Sequence, residues 1–249
     1  MAEIRPPPAK PRPFYQTAEQ LCPYLPGRLE RRIVTFLSSP DDEAIQDELA
    51  LAGFRRSQNM LYRPQCHGCA ACVPVRIVVR GFRPGRTLRR VIRRNAGLRA
   101  TERPARATDE QFALFRRYLL ARHAEGGMAE MTRQDYADMV AGWSARTRIV
   151  EFREPDGRLV AVSLTDLLRS GLSGVYKFFE PEPARRSLGS YVVAWHVQRA
   201  AELGLPYVYL GYWIAGSAKM AYKARFAPLE RLGPEGWEPM PPADPAGED

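Results

Sequence analysis

Long apolar runs are missing from this sequence. None of its 249 residues lies in a stretch approaching the roughly eighteen apolar residues of a membrane span. Met1 to Pro13 holds five prolines and no apolar core of signal-peptide length. No membrane partner is expected, and the cytoplasm is the expected location. Cysteine is scarce as well. There are four, three of them crowded between Cys66 and Cys72, a pattern that argues against a disulfide-stapled secreted fold. Only four of the 37 basic residues are lysines, and only three residues are histidines. His123 and His196 each fall within a predicted helix with no neighbour to orient them as a base, so both read as structural.

Hydrophobic residues make up 45% of the chain, enough for a real core. The net charge of +9 is local: between Arg76 and Arg106 there are eleven arginines and one acid, Glu102, and the rest of the chain is close to neutral. Planar guanidinium forks bind phosphates in pairs, so this density suggests a polyanion such as RNA. Arg76, Arg89, Arg90, Arg93 and Arg94 are the candidate contacts, with a solvated basic face as the alternative.

Ser39 to Asp42 opens a short surface helix with Ile45, Leu49 and Ala52 on one side, and Gly53 stops it. Val73 to Val79 alternates like a strand, leaving the cysteines on a loop beside a sheet. Thr108 to Gln111 and Thr132 to Asp135 have capping-box spacing ahead of amphipathic helices. The rhythm then turns to strands at 148–153, 158–168 and 173–179, a buried helix at 187–203 closed by Gly204, and a strand from Tyr207. This predicts an α+β fold, with a mixed or antiparallel sheet flanked by helices. The strand, strand, helix, strand order matches GNAT-type acyltransferases, which grip an acyl donor between splayed strands with a helix N-terminus facing its phosphates. The loop Arg186-Ser-Leu-Gly189-Ser190-Tyr191 has one glycine of the usual two, which favours a donor other than acetyl-CoA.

The motifs Cys22-Pro-Tyr-Leu-Pro-Gly-Arg28, Gly53-Phe-Arg-Arg-Ser57, Tyr62-Arg-Pro-Gln-Cys66-His-Gly-Cys69-Ala-Ala-Cys72, Val175-Tyr-Lys-Phe-Phe-Glu-Pro181, Tyr209-Leu-Gly-Tyr212 and Tyr222-Lys-Ala-Arg-Phe226 carry a family resemblance. From about Cys22 to Leu232 the chain resembles the bacterial aspartate/glutamate leucyltransferases of the arginyl-tRNA–protein transferase family. The resemblance implies a GNAT-like catalytic region, a cysteine-bearing N-terminal half, aminoacyl-tRNA as donor, and acceptor proteins beginning with Asp or Glu that gain a residue marking them for proteolysis. Lys177 stands where the family usually has Thr. The expected organisation is a disordered tail over 1–13, a basic cysteine-bearing region over 14–106, a GNAT-like region over 107–232 and a second disordered tail over 233–249.

An activated ester and an α-amine with a reference pKa of roughly 7.7 to 8.0 need positioning, a proton acceptor and oxyanion donors, but no dedicated nucleophile or cofactor. Asp166 and Tyr212 are the candidate catalytic residues. For an acidic acceptor and the tRNA terminus, Tyr176, Lys177, Lys219, Tyr222, Lys223 and Arg225 are the candidate binding residues. Cys66, Cys69 and Cys72, with Cys22 as fourth ligand, could hold zinc or an iron–sulfur cluster, or remain reduced thiols. The alternatives to leucyl transfer are arginyl transfer to the same acceptors, acetyl-CoA-dependent N-acylation, and a noncatalytic RNA-binding or redox module.

Overall fold

The computed structural model describes residues 12–39, 42–122, 127–141, 144, 146–182 and 186–241. Short strands β1 (Tyr15–Gln16), β2 (Gln20–Leu21), β3 (Leu29–Glu30) and β4 (Arg32–Phe36) lead to helix α1 (Glu43–Leu51). Then follow β5 (Arg55–Ser57), β6 (Met60–Pro64), β7 (Val73–Val78), α2 (Arg86–Arg94), β8 (Arg99–Pro104), α3 (Asp109–Arg122) and α4 (Arg133–Val140). The C-terminal part holds β9 (Thr147–Arg153), β10 (Leu159–Leu168), β11 (Gly171–Phe179), α5 (Leu188–Glu202), β12 (Tyr207–Trp213), α6 (Ala218–Ala221), β13 (Leu229–Gly233) and β14 (Gly236–Pro239). No described helix is long and apolar enough to cross a membrane.

Both expected capping boxes form. Gln111 N–H donates to Thr108 Oγ1 at 3.2 Å while Thr108 N–H donates to Gln111 Oε1 at 3.1 Å, and Thr132 and Asp135 exchange the same pair of bonds. The main sheet has eight strands in the order β14-β13-β7-β12-β11-β10-β9-β8, and a smaller one runs β1-β4-β6-β5. Successive residues along the main sheet feed different cores, as a pleat requires. Ile149 and Phe178 pack with Leu114, Phe115 and Tyr136 of α3 and α4, whereas Val150 packs with Leu188 and Val192 of α5. The α+β class with helices on a mixed sheet is thus borne out.

Two expectations about organisation change. Strands β7 and β8 lie in the eight-stranded sheet, so that sheet crosses the 106/107 boundary. Antiparallel pairing of β7 with both β12 and β13 brings this about. The tail expected over 233–249 is ordered as far as β14, because it pairs with β13, and Trp237 Nε1 donates to the Leu51 carbonyl at 2.8 Å. Of the N-terminal tail, Arg12 pairs with Asp42 and the Pro13 carbonyl accepts from Thr35; residues 1–11 and 242–249 lie outside the described residues. Helix α1 is more than a surface helix: its Gln46 and Asp47 are buried, Asp47 against Arg146 at 2.6 Å.

Candidate active site

Strands β11 and β12 pair in parallel only from Gly171↔Tyr207 to Ser173↔Tyr209, and beyond that they part. Arg55 of β5 spans the split: its Nη2 donates to the Gly174 carbonyl at 2.6 Å and its Nη1 to the Tyr209 carbonyl at 3.4 Å. The backbone must yield to let it through. Gly211, at φ +78°, would place a Cβ 2.9 Å from Arg55 Nε, so only glycine fits there. Above the split lies a cleft of about 810 Å³. One side is the α5 entry, Ser187 to Ser190, where Gly189 lets the helix come so close that a Cβ would meet the Phe179 ring at 2.9 Å.

The cleft gathers Arg55, Lys177 and Lys223. Among the described residues none of the three is ion-paired to a carboxylate. Lys177 Nζ donates to the Tyr222 hydroxyl at 3.2 Å and stands 5.1 Å from that ring's centroid. Lys223 is buried and donates to the Tyr212 carbonyl. Burial, then the charges of Arg55 and Lys177, bring its pKa down from 10.5 to about 7. The acid on the lining, Glu180, is paired with Arg117 at 3.1 Å. His196 also lines the cleft, but its Nε2 is within hydrogen-bond reach of Ser163 (3.3 Å) and Thr165 (3.0 Å), and burial, then Lys177, holds it neutral with a pKa lowered to about 3. That agrees with the structural role expected for it; His123 lies outside the described residues.

Of the expected site residues, Tyr176, Lys177, Tyr222 and Lys223 meet at this cleft. Asp166 does not. It is 1% exposed and accepts from Arg56 Nε (2.6 Å) and Nη2 (2.7 Å), Gln46 Nε2 (2.7 Å) and Thr147 Oγ1 (2.8 Å), a saturated ion pair that ties α1 and β5 to the sheet. Tyr212 is likewise structural, its hydroxyl shared between the Gly53 and Tyr62 carbonyls at 3.0 Å each, and burial raises its pKa further. Arg225 is exposed and off the lining, and the Lys219 side chain lies outside the described residues.

Among the arginines expected to meet RNA, Arg89, Arg90, Arg93 and Arg94 are exposed on α2, whose Leu88 and Val91 are buried toward α5. Arg76 is kept apart from them. It is buried, paired with Glu230 at 2.7 Å and stacked 3.5 Å from the Tyr207 ring centroid and 4.1 Å from that of Trp237. The missed residue is Arg55. Its Gly53-Phe-Arg-Arg-Ser57 motif was visible, but nothing local said that Arg55 would cross to the split strands.

All four cysteines are free and partly exposed. Burial, then the neighbouring Cys66, Cys22 and Cys69, pushes the Cys72 thiol up to about 11, so the four form one electrostatic group. Yet among the described residues no three or more His, Cys, Asp or Glu side chains are arranged as a ligand set, and no thiol lines the cleft.

Family models for the arginine-tRNA-protein transferase N terminus and C terminus match residues 20–90 and 110–233. An aspartate/glutamate leucyltransferase of Parvibaculum lavamentivorans is 58% identical over 92% of this chain and 95% of its own. Those of Gluconacetobacter diazotrophicus (52% identical, 94% of this chain and 90% of its own) and Paramagnetospirillum magneticum (51%, 94% and 96%) are similar along the same length.

Proposed function

The chain belongs to the arginine-tRNA–protein transferase family, and we propose from that premise that it moves leucine from Leu-tRNA to the α-amino group of proteins beginning with Asp or Glu. It is an aminoacyltransferase, with aminoacyl-tRNA as donor and a protein N-terminus as acceptor. The observation that carries the choice of acceptor is the cleft in which Arg55 and Lys177 stand, among the described residues, with no carboxylate paired to either. Like charges gathered in a half-buried space repel one another until an anion joins them, and an acidic N-terminal side chain is such an anion. The same charges disfavour arginine as the transferred residue, because its guanidinium would enter a cleft already cationic.

The donor's terminal phosphate fits the amide-rich entry of α5, and the exposed arginines of α2 supply contacts for the tRNA body. The activated ester leaves the protein to hold amine and carbonyl together, and leucine added to the acceptor marks it for proteolysis in the cytoplasm. For a zinc ion or an iron–sulfur cluster, Cys22, Cys66, Cys69 and Cys72 are the residues we propose, on the mutual electrostatics of the four thiols and although they do not stand as a formed ligand set, and the transfer itself needs neither. Labelled Leu-tRNA, Arg-tRNA and acetyl-CoA, each offered to peptides beginning with Asp, Glu, Ala or Lys, test the reading. Leucine on the Asp and Glu peptides alone is the expected result. No transfer from either tRNA, or transfer from acetyl-CoA, would contradict it.

A further inference from the structure

An α-amine that attacks an ester must shed a proton, and Asp166 is locked away from the cleft by Arg56, Gln46 and Thr147. The other groups on the lining are poor acceptors. His196 is held neutral by burial and is a weak base at about 3, Glu180 is occupied by Arg117, and burial drives the Tyr118 and Tyr176 hydroxyls above their ordinary range. Lys223 differs from all of these. It is 5% exposed, reaches the cleft from the turn that follows α6, and is pinned by one bond to the Tyr212 carbonyl of β12. Facing it are Arg55 from β5 and Lys177 from β11, with Tyr222 beside it on its own turn and His196 of α5 on the same cleft. Arg55 is a fixed charge, because carbonyls of both split strands hold its guanidinium. A buried amine between two cations, with no carboxylate paired to it among the described residues, is disposed to be neutral.

Resting on the leucyl-transfer reading, we propose that Lys223 is the proton acceptor of the reaction. As the α-amine nitrogen bonds to the leucyl carbonyl carbon, its proton passes to the lone pair of Lys223 Nζ. When the carbon–oxygen bond to the tRNA ribose breaks, the electron pair stays on the ribose oxygen and Lys223 returns that proton to it. The products are an amide and a free ribose hydroxyl, and Lys223 ends as it began. Lys177 and Arg55 face Lys223 and, on the same reading, hold the acceptor's acidic side chain, so they position its amine against Lys223.

The scarcity of lysine makes a direct test possible. Only four lysines exist, so ε-13C-lysine labelling of the intact protein gives four signals, and the one absent from Lys223→Arg is assigned. A midpoint near 7 in the wild type, moving upward in Lys177→Met, is expected; a midpoint at the ordinary lysine value of 10.5 would overturn the proposal. In kinetics, Lys223→Arg puts a permanent charge at this position and cannot accept a proton. Its kcat falls about 10²- to 10⁴-fold with little change in either KM, as it does in Lys223→Met, while circular dichroism confirms that both variants fold. Wild-type turnover in Lys223→Arg would show that the position needs only charge, and would overturn the role. A wild type that moves no leucine would instead sink the transfer reading, whatever the lysine signal shows.

Discussion

Asp166 and Lys223 are both charged residues hidden from solvent, at 1% and 5% exposure, yet they have opposite surroundings. Asp166 has Arg56 in a bidentate grip and two further donors, so its charge is cancelled and its hydrogen-bonding capacity filled. Lys223 has one carbonyl to bond and two cations to face. Burial beside a neutralising partner fastens elements together, whereas burial without one leaves a group whose proton is easily moved. Residue type and burial alone would have ranked the two alike.

The contrast breaks most sharply at Asp166. Asp166→Ala leaves the Arg56 guanidinium buried and unpaired, and about 3–5 kcal/mol of stability is expected to go with it. Urea denaturation reads this as a lower midpoint, and an unchanged midpoint would mean that the cluster fastens nothing. Lys223→Met should lose turnover at neutral pH without losing stability, since it removes a buried amine that lacks a counter-charge. A matching fall in urea midpoint would make Lys223 one more structural residue.

A smaller effect concerns His196. Its folded pKa, about 3, lies below the reference 6.5, so the unfolded chain binds a proton that the folded one refuses. This contribution to stability is fully present above about pH 6.5 and is lost as pH falls toward about 3. His196→Gln should flatten that acid limb in denaturation midpoints measured against pH. The smallest change is expected on α2. Replacing Arg89, Arg90 and Arg93 by Ala should raise the KM for Leu-tRNA several-fold and reduce its salt dependence by roughly 0.7 to 0.9 in log–log slope per lost phosphate contact, leaving the peptide KM unaltered.

What the sequence announced was local. The capping boxes at Thr108 and Thr132, the β10–β11 meander and the α5 helix follow from spacing within a few residues, and the structure has them. Helix α2 carries a clear helical period, with Leu88 and Val91 buried opposite its arginines, but it is nine residues long and starts at Gly85 without a capping side chain, so its start has no marker in the sequence. Asp166 could not be read correctly, because the partners that saturate it lie 120 and 110 residues away at Gln46 and Arg56. Arg55 was missed for the same reason, as its contacts at Gly174 and Tyr209 are 119 and 154 residues distant. Lys177 and Lys223 were found because acidic acceptors require cations and the chain has few lysines to offer, and Tyr222 as a hydroxyl donor and stacking face for the tRNA terminal adenosine. That they would share a cleft with, among the described residues, no carboxylate paired to either lysine is a property of packing alone.

The claim that unneutralised cations choose the acceptor is tested most directly by kcat/KM for two peptides identical except for Asp or Asn at the N-terminus, with Leu-tRNA saturating. Asn matches Asp in shape and lacks only the charge. The account predicts a preference for Asp of about tenfold or more, from a charge-assisted hydrogen bond in a half-buried site. Equal values for the two peptides would contradict it.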